Sequence, residues 1–432
     1  MPSHDAPPLP GGVIVGRPQP GWTDDDPAAR GSRRTIEPMA IYLDHAATTP
    51  LRREALEAML PFLTESFGNP SSAHSFGRSA RAALDDAHER VAKRLNAEAR
   101  EIVFTSGGTE ANNLALKGAA WAGKAHGHRI VTSAVEHHAV GHTLRYLEKF
   151  GFEIVELPVD RYGRVDPEQL EKALTDRTIL VSIMLANNEV GTIQPIADIV
   201  RVVRGHKGIL IHVDAVQAAP YLDLDVQTLG ADMVSLGAHK FEGPKGVGVL
   251  YVRHGTHILA QQHGGTQERH RRAGTENVAG AVGLAAAYDL ACAERPETVA
   301  RLRRQRDRLV KAILATPGTE LTGHPKQRLP GLLSIIARDT DGTAVAMSLD
   351  LEGIASSVGS ACTTGSTEVS HVLTAMGYPE EEARGALRLS LGRTTTDDEI
   401  AMASEVVPRV LASMRLGAYA VAADPLGQSV PV

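Results

Sequence analysis

The chain has 432 residues, more than one hydrophobic core usually serves, and this length predicts two domains. Apolar residues make up 43% of it and charged residues 22%, proportions that exclude an intrinsically disordered chain and a collagen-like one. The formal net charge of −6 gives no general reason to expect binding to nucleic acid or to an anionic membrane. We therefore expect a globular protein with no direct nucleic-acid partner and no membrane partner.

The cysteine content and the apolar runs indicate the compartment. Cys292 and Cys362 are the only two cysteines, so a disulfide framework is excluded and a reducing cytosol is expected. No Cys-x-x-Cys pair is present to bind zinc or an iron–sulfur cluster. The longest apolar runs are shorter than a membrane span, and no signal peptide is recognisable. These features predict a cytoplasmic location.

The first 38 residues differ from the rest of the chain. Proline and glycine recur there, residues 24–26 are all aspartate, and neither helical nor strand periodicity is sustained. This composition predicts a flexible N-terminal arm over residues 1–38. Because Met39 directly precedes the first patterned segment, one hypothesis is that translation begins at Met39.

After this arm, helical and strand patterns alternate. Helices are predicted at 52–64, 77–95, 109–122, 138–150, 167–173, 196–204 and 278–315. Strands are predicted at 102–105, 129–133, 153–157, 178–185, 209–213, 233–236 and 247–252. The alternation predicts an α/β fold with a mostly parallel sheet covered by helices on both faces, followed by a smaller α+β domain. We place the large domain at 39–290, the small C-terminal domain at 291–420 and a tail at 421–432.

Three polar motifs follow predicted strands, where ligands gather in sheets of this type. Ser106-Gly107-Gly108-Thr109 opens a helix and offers free N–H groups to an anion, although a tight turn with Thr109 as N-cap is the simpler interpretation of this motif alone. Asp214 follows one strand and could pair with a protonated ring nitrogen or cap a helix. Lys240 follows the next strand and could form a Schiff base or be a solvated surface residue. Together the three meet the needs of pyridoxal phosphate.

Two further features suggest chemistry. Cys362 lies in a loop of small residues, which indicates an accessible thiol suited to nucleophilic work, whereas Cys292 lies in an apolar helical segment and is interpreted as core. His138 and His142 could share a helix face and bind a metal, but no third ligand is obvious nearby. We expect no metal.

The order of the motifs resembles that of cysteine desulfurases of the NifS/IscS type, which are fold-type I pyridoxal-phosphate enzymes of aminotransferase class V. The resemblance extends from about Ile41 to Leu411. The motifs are Tyr42-Leu43-Asp44-His45, Phe67-Gly68-Asn69-Pro70, Ser106-Gly107-Gly108-Thr109-Glu110, Glu136-His137-His138, Asn187-Asn188-Glu189, His212-Val213-Asp214, His239-Lys240, Arg272-Ala273-Gly274-Thr275, Gly359-Ser360-Ala361-Cys362 and Arg388-Leu389-Ser390-Leu391-Gly392-Arg393. The Gly-Ser-Ala-Cys motif is similar to that of the IscS-like group.

The resemblance implies a cofactor site for pyridoxal 5′-phosphate. Lys240 would form the Schiff base and move protons, Asp214 would pair with the ring nitrogen, and Gln217 would contact the ring hydroxyl. His137 would stack on the ring and act in acid–base steps. The phosphate would be bound by Gly108, Thr109, His239 and, from a second subunit, Thr275.

The resemblance also implies a substrate and a reaction. Asn188 and Arg388 would bind the carboxylate of L-cysteine, with Arg393 as a competitor for that role. Cys362 would take the sulfur as a persulfide, and L-alanine would leave. The expected partners are a second copy of the chain and a sulfur-acceptor or scaffold protein, with the sulfur supplied to iron–sulfur clusters or to tRNA thiolation. The alternatives are a class V aminotransferase, a selenocysteine lyase, or a scaffold without turnover.

Overall fold

The computed structural model describes residues 40–359 and 369–415. Cys362, the predicted N-terminal arm and the predicted tail therefore lie outside the described residues. The helices are α1 (Arg53–Thr64), α2 (Ser75–Leu95), α3 (Gly108–Gly123), α4 (His138–Glu148), α5 (Pro167–Ala173), α6 (Ile196–Arg204), α7 (Val226–Leu229), α8 (Val278–Ile313), α9 (Gly342–Leu351), α10 (His371–Ala375), α11 (Glu380–Ala383) and α12 (Asp397–Ser413). The strands are β1 (Ile41–Tyr42), β2 (Ile102–Thr105), β3 (Arg129–Ser133), β4 (Glu153–Leu157), β5 (Thr178–Ser182), β6 (Leu210–Asp214), β7 (Met233–Gly237), β8 (Gly248–Val252), β9 (Thr319–Leu321), β10 (Leu332–Ala337), β11 (Ile354–Ala355) and β12 (Ala386–Ser390).

A seven-stranded sheet in the order β2-β8-β7-β6-β5-β3-β4 forms the centre of the larger part of the fold. The strands from β7 to β4 run parallel, and β8 is antiparallel to both β2 and β7. The sheet is therefore mostly parallel, as the alternating pattern predicts. The carboxyl ends of β6 and β7, at Asp214 and Gly237, lie at the same edge of the sheet because these two strands are parallel neighbours.

Helices pack on both faces of this sheet. In β8, Val249 and Tyr251 join one apolar cluster with helices α2, α6 and α8, whereas Leu250 joins a second cluster with α3 and α4. Alternate residues of a strand point to opposite faces, so one strand contributes to both clusters. The predicted cover on both faces is confirmed.

The C-terminal part forms a smaller α+β layer. Its antiparallel sheet has the order β12-β10-β9, and a separate apolar cluster joins this sheet to α9, α12 and the second half of α8. Strand β1 pairs in parallel with β11, and Asp44 forms an isolated bridge with Ser390 of β12. The start of the described chain is thereby attached to the smaller sheet.

Most predicted elements match within a few residues, with one informative difference. The strand predicted at 178–185 ends at Ser182, although the amides of Ile183 and Leu185 still donate to carbonyls of β6. The residues after Ser182 are apolar because they are still buried, although they no longer belong to the strand. Sequence periodicity alone does not distinguish such a buried segment from a longer strand. Helix α8 crosses the predicted boundary between residues 290 and 291 without a break, and the domain limits stay a prediction. No helix in the described ranges has the length and apolar character needed to cross a bilayer.

Candidate functional site

A cavity of about 610 Å³ opens at the carboxyl edge of the large sheet. The sequence-predicted residues that line it are Gly108, Thr109, His137, Asn188, Asp214, Gln217, His239, Lys240 and Arg388. They come from separate turns along the chain, and the strand order brings them to one place.

A carboxylate lies at the end of β6 in this cavity. Asp214 is buried, and its Oδ2 accepts a hydrogen bond of 2.6 Å from Nδ2 of Asn112, while its Oδ1 accepts one of 3.0 Å from the amide of Val216. These two donors fix the orientation of the carboxylate. Asn112 was not singled out from the sequence, although its position one helical turn after Gly108 places it on the same face of α3.

The turn between β2 and α3 is shaped for an anion. Gly107 has φ of 151° and Gly108 begins the helix, so free N–H groups of the first turn lie at the cavity wall. A Cβ at Gly108 would lie 2.7 Å from Cγ2 of Val216, so a side chain does not fit there. The N-cap is Gly107, so the alternative interpretation with Thr109 as N-cap is wrong, because α3 begins one residue before Thr109.

An ion pair stabilises this turn from outside. Glu110 accepts hydrogen bonds of 2.7 Å from the amide of Ser106 and 2.9 Å from Nε of Arg272. Burial alone would raise the pKa of Glu110, but these hydrogen bonds outweigh it and the pKa is lowered. The carboxylate is therefore ionised at neutral pH, and Arg272 balances its charge beside the turn.

Lys240 and His239 follow β7 in a short 3₁₀ turn. Nζ of Lys240 donates to the carbonyl oxygens of Ala46 at 2.5 Å and Ala47 at 2.8 Å. His239 lies 3.2 Å from Oγ1 of Thr48, and burial together with the charge of Lys240 lowers its pKa to about 4. His239 is therefore neutral at neutral pH and can donate a hydrogen bond without adding charge.

His137 forms the N-cap of α4. Its Nδ1 accepts a hydrogen bond of 3.1 Å from the amide of Ala139, so the neutral ring carries its proton on Nε2. Burial lowers the pKa of His137, although the neighbouring Asp214 acts in the opposite direction. A neutral ring at the cavity wall can therefore exchange a proton through Nε2.

The two candidate arginines differ in their surroundings. Arg388 is fully buried and lines the cavity, and it donates to the backbone carbonyls of Asn188 and Gly359 and to Asp44. Nε of Arg393 instead donates to Glu242 at 2.6 Å, and this side chain lines a separate, smaller cavity. The geometry therefore directs Arg388, and not Arg393, to the main cavity.

Several other predicted residues lie elsewhere. Thr275 is exposed and does not line this cavity in its own chain. Cys292 is half-buried with Arg295 Nη2 at 3.0 Å from its sulfur, and burial raises the pKa of its thiol. The rings of His138 and His142 stack on each other, with 4.9 Å between their centroids. In residues 40–359 and 369–415, no group of three or more His, Cys, Asp or Glu side chains is arranged to bind a metal ion.

Two acidic residues of the motifs, one buried and one partly exposed, received no role from the sequence. Glu189 lines the cavity and its Oε2 accepts a hydrogen bond of 2.5 Å from Ser370. Asp44 accepts one of 2.8 Å from Nη2 of Arg388. Both residues lie within motifs that carry the family resemblance. Membership of those motifs was the one sequence signal that could have pointed to a role in the site.

The cavity fits a cofactor that carries an aldehyde, a basic ring nitrogen and an anionic group. Lys240 offers an amine, the oriented carboxylate of Asp214 can face a protonated nitrogen, and the turn at Gly107 and Gly108 leaves room for an anion. This combination matches pyridoxal phosphate.

Comparison with known proteins agrees with this chemistry. Residues 41–402 match the family described as aminotransferase class V. A cysteine desulfurase IscS from Methanosarcina thermophila is 49% identical over 385 residues, which cover 89% of this chain and 95% of the relative.

Solved structures agree as well. A NifS-like protein superposes on this chain with a TM-score of 0.82 at 39% sequence identity. The superposition covers 87% of this chain and 100% of the NifS-like chain. A structure described as SspA in complex with cysteine has a TM-score of 0.72 at 36% identity, over 81% of this chain and 98% of its own. Since the family match spans most of the sequence, the chain belongs to the pyridoxal-phosphate-dependent enzymes of aminotransferase class V.

Proposed function

We propose that this protein is a cysteine desulfurase, which converts L-cysteine to L-alanine and retains the sulfur as a persulfide on Cys362. The observation that carries the proposal is one cavity containing an amine at Lys240, an oriented carboxylate at Asp214 and a buried guanidinium at Arg388. The name of the relative from Methanosarcina thermophila and the cysteine in the SspA structure support L-cysteine as the substrate.

The cofactor would be held by residues from both sides of the cavity. Asp214 would face the ring nitrogen, Gln217 the ring hydroxyl and His137 one face of the ring. Gly108, Thr109 and His239 would bind the phosphate, because the first turn of α3 presents N–H groups there. When bound, pyridoxal phosphate supplies an electron sink for the bonds that break on the substrate.

The substrate would be oriented by its carboxylate. A guanidinium binds a carboxylate through two parallel hydrogen bonds, and Arg388 presents its side chain at the cavity wall. Asn188 lies beside it and its carbonyl oxygen already accepts a hydrogen bond of 3.0 Å from Arg388. The two residues would hold the carboxylate of the amino acid at this wall of the cavity.

Protons would move through Lys240 and His137. The amine of Lys240 would take the proton from Cα of the substrate once it no longer holds the cofactor. The neutral ring of His137 would donate and recover a proton at Nε2, since its Nδ1 is occupied by the amide of Ala139. Both side chains line the cavity, so each can reach a ligand bound there.

The sulfur transfer balances without an external oxidant. The thiolate of Cys362 would attack the substrate sulfur, so that an S–S bond forms while the Cβ–S bond breaks. The electron pair of the broken bond stays with the carbon, which takes a proton and leaves as L-alanine. The sulfur is thereby oxidised to the sulfane level as the carbon is reduced. Cys362 lies outside the described residues, so its role is carried by the motif alone.

The protein would act as a homodimer. Thr275 is exposed and does not line the cavity of its own chain, which agrees with a role in the site of a second copy. Its neighbour Glu276 pairs with Arg81 of α2 at 2.9 Å, so the segment that carries Thr275 is joined to α2. In the same part of the chain, α1 exposes Leu56, Leu60 and Leu63, and the exposed rings of Phe67 and Phe76 lie 5.7 Å apart between their centroids. An apolar surface of this kind favours association.

The sulfur would leave on a protein partner. A persulfide is a reactive form of sulfur that a second thiol can accept, so we expect a sulfur-acceptor or scaffold protein that serves iron–sulfur clusters or tRNA thiolation. The two-cysteine content agrees with a reducing, cytoplasmic setting.

The test is to incubate the purified holoenzyme with L-cysteine and to measure L-alanine and sulfide with and without a reductant. The wild type should form equal amounts of both when the reductant is present. Lys240→Ala should lower alanine formation by about a hundredfold or more, because proton transfer at Cα is lost. Cys362→Ser should lower it to background, whereas Cys292→Ser should leave it unchanged.

Two outcomes would contradict the proposal. Absence of alanine from the wild type with cofactor bound would reject the reaction itself. Alanine and sulfide formation by Cys362→Ser at the wild-type rate would reject Cys362 as the acceptor and favour a lyase that releases sulfur directly.

A further inference from the structure

The guanidinium of Arg388 is already largely committed to protein acceptors. Nη1 donates to the carbonyl oxygen of Asn188 at 3.0 Å and to that of Gly359 at 3.1 Å, and Nη2 donates to Oδ1 of Asp44 at 2.8 Å. A guanidinium has five N–H bonds, so three are used and two remain. The remaining two are on Nε and Nη2.

These two N–H bonds suit one carboxylate. Nε of Arg388 is buried and has no hydrogen-bond partner among residues 40–359 and 369–415, although nearly all buried donors in proteins have one. Nε and Nη2 lie along one edge of the planar guanidinium, and a carboxylate binds such an edge through two parallel hydrogen bonds. Because Nε is buried, a carboxylate can reach this edge only when the site opens around Arg388, and Asp44 can then keep its own hydrogen bond to Nη2.

The position of Asp44 is fixed by the backbone. Asp44 forms a bridge with Ser390, which is two residues after Arg388 in β12. The amide of Ser390 donates to Leu43 at 2.6 Å, and the amide of His45 donates to Ser390 at 3.2 Å. Because hydrogen bonds flank Asp44 on both sides, its carboxylate is held beside Arg388 before any ligand binds.

This arrangement places a negative charge beside the cation that is expected to bind the substrate. The Asp44 side chain is 18% exposed and that of Arg388 only 2%, so solvent screens their interaction weakly. Glu189, a buried acidic residue, lines the cavity as well. A ligand carboxylate is attracted by Arg388 and repelled by Asp44, and the net attraction is smaller than that of an isolated arginine.

We propose that Asp44 is a positioning residue which, through Arg388, limits how tightly the site holds a monocarboxylic amino acid, so that the product L-alanine can leave. This inference rests on the proposed function, since it takes L-alanine as the product. Asp44 also orients the Nε–Nη2 edge of Arg388, so the same contact sets both the geometry and the strength of carboxylate binding.

The experiment compares L-alanine with L-alaninamide, which lacks the carboxylate, by calorimetric titration of the holoenzyme. Asp44→Asn keeps an oxygen acceptor for Nη2 and removes only the charge. We expect its affinity for L-alanine to rise by about tenfold, and its affinity for L-alaninamide to stay that of the wild type. The inhibition constant of L-alanine against L-cysteine should fall by the same factor. The matched control is Asp350→Asn, an exposed aspartate of α9, which should leave all these values unchanged.

Each other outcome is decisive. Equal or weaker binding of L-alanine by Asp44→Asn would overturn the proposal, as would an equal gain for both ligands, since the effect would then not involve the carboxylate. If Asp44→Asn does not fold, Asp44→Ser is titrated in the same way and must show the same selective gain. Failure of the proposed function is measured in a separate assay: the wild-type enzyme would then form no L-alanine from L-cysteine.

Discussion

At the scale of single residues, Glu136 is a buried carboxyl group next to His137 that takes no part in the proposed reaction. Its Oε1 accepts hydrogen bonds of 2.6 Å from Ser133 and 2.9 Å from the amide of Met184, and its Oε2 has no partner in the part of the chain that the structure describes. Burial raises the pKa of Glu136 from 4.5 to about 8, against the effect of these two donors. The group is therefore protonated in the folded protein at neutral pH, which avoids a buried charge.

This raised pKa gives stability a defined pH dependence. Between the unfolded value of 4.5 and the folded value of about 8, the folded state binds more protons at this site. The free energy of unfolding should therefore fall as pH rises through that window, by up to about 1.4 kcal/mol per pH unit. Glu136→Gln does not titrate, so its unfolding free energy should fall less between about pH 5 and pH 8 in urea denaturation.

The control for this experiment is Glu168→Gln, an exposed glutamate near the start of α5, which should keep the wild-type pH dependence. If Glu136→Gln and the wild type lose stability in parallel over this range, the carboxyl group of Glu136 is ionised in the folded protein and the assignment is wrong.

At the scale of elements, the sequence pattern predicted the strands and helices that carry the site, because each is long enough for its apolar period to be recognised. Asp214 and Lys240 were predicted at neighbouring strand ends, and they line one cavity. Asn112 was not predicted, since a polar residue inside a helix looks the same in sequence whether it faces solvent or a carboxylate. The contact between Asp44 and Arg388 depends on pairing of segments more than 300 residues apart, which periodicity does not encode.

The turn between β2 and α3 provides a prediction at this scale. Gly108→Ala places a methyl group 2.7 Å from Cγ2 of Val216, whose amide donates to Asp214. The overlap should displace Val216 and weaken pyridoxal-phosphate binding by about 1–3 kcal/mol, measured by equilibrium dialysis. Adding Val216→Ala to Gly108→Ala removes the overlap and should restore most of the affinity.

The matched control is Gly141→Ala in α4, where an added Cβ meets no atom within 4 Å. Alanine is a better helix former than glycine, so this variant should keep its cofactor affinity and be slightly more stable. Unaltered cofactor binding by Gly108→Ala would show that the turn adapts to a side chain, and would remove the steric reason for glycine at this position.

At the scale of the whole molecule, the proposed dimer connects an exposed surface with a cofactor site. Leu60 of α1 and Phe67, which follows this helix, are 52% and 70% exposed, and exposed large apolar side chains favour association. The ion pair between Arg81 and Glu276 joins α2 to the segment that carries Thr275. Association through this surface would therefore carry Thr275 to the cavity of the partner, so that loss of the dimer and loss of cofactor affinity should occur together.

Leu60→Glu and Phe67→Glu test this coupling. Each places a charge on the apolar surface, and we expect the dissociation constant of the dimer to rise by at least about tenfold in sedimentation velocity. Pyridoxal-phosphate affinity should fall in the same variants as monomer accumulates. Leu351→Glu is the matched control, because Leu351 is 90% exposed on α9 and belongs to the smaller α+β layer. Monomeric variants with undiminished cofactor affinity would show that each chain binds the phosphate alone, whereas dimers that persist in both variants would place the interface on another surface.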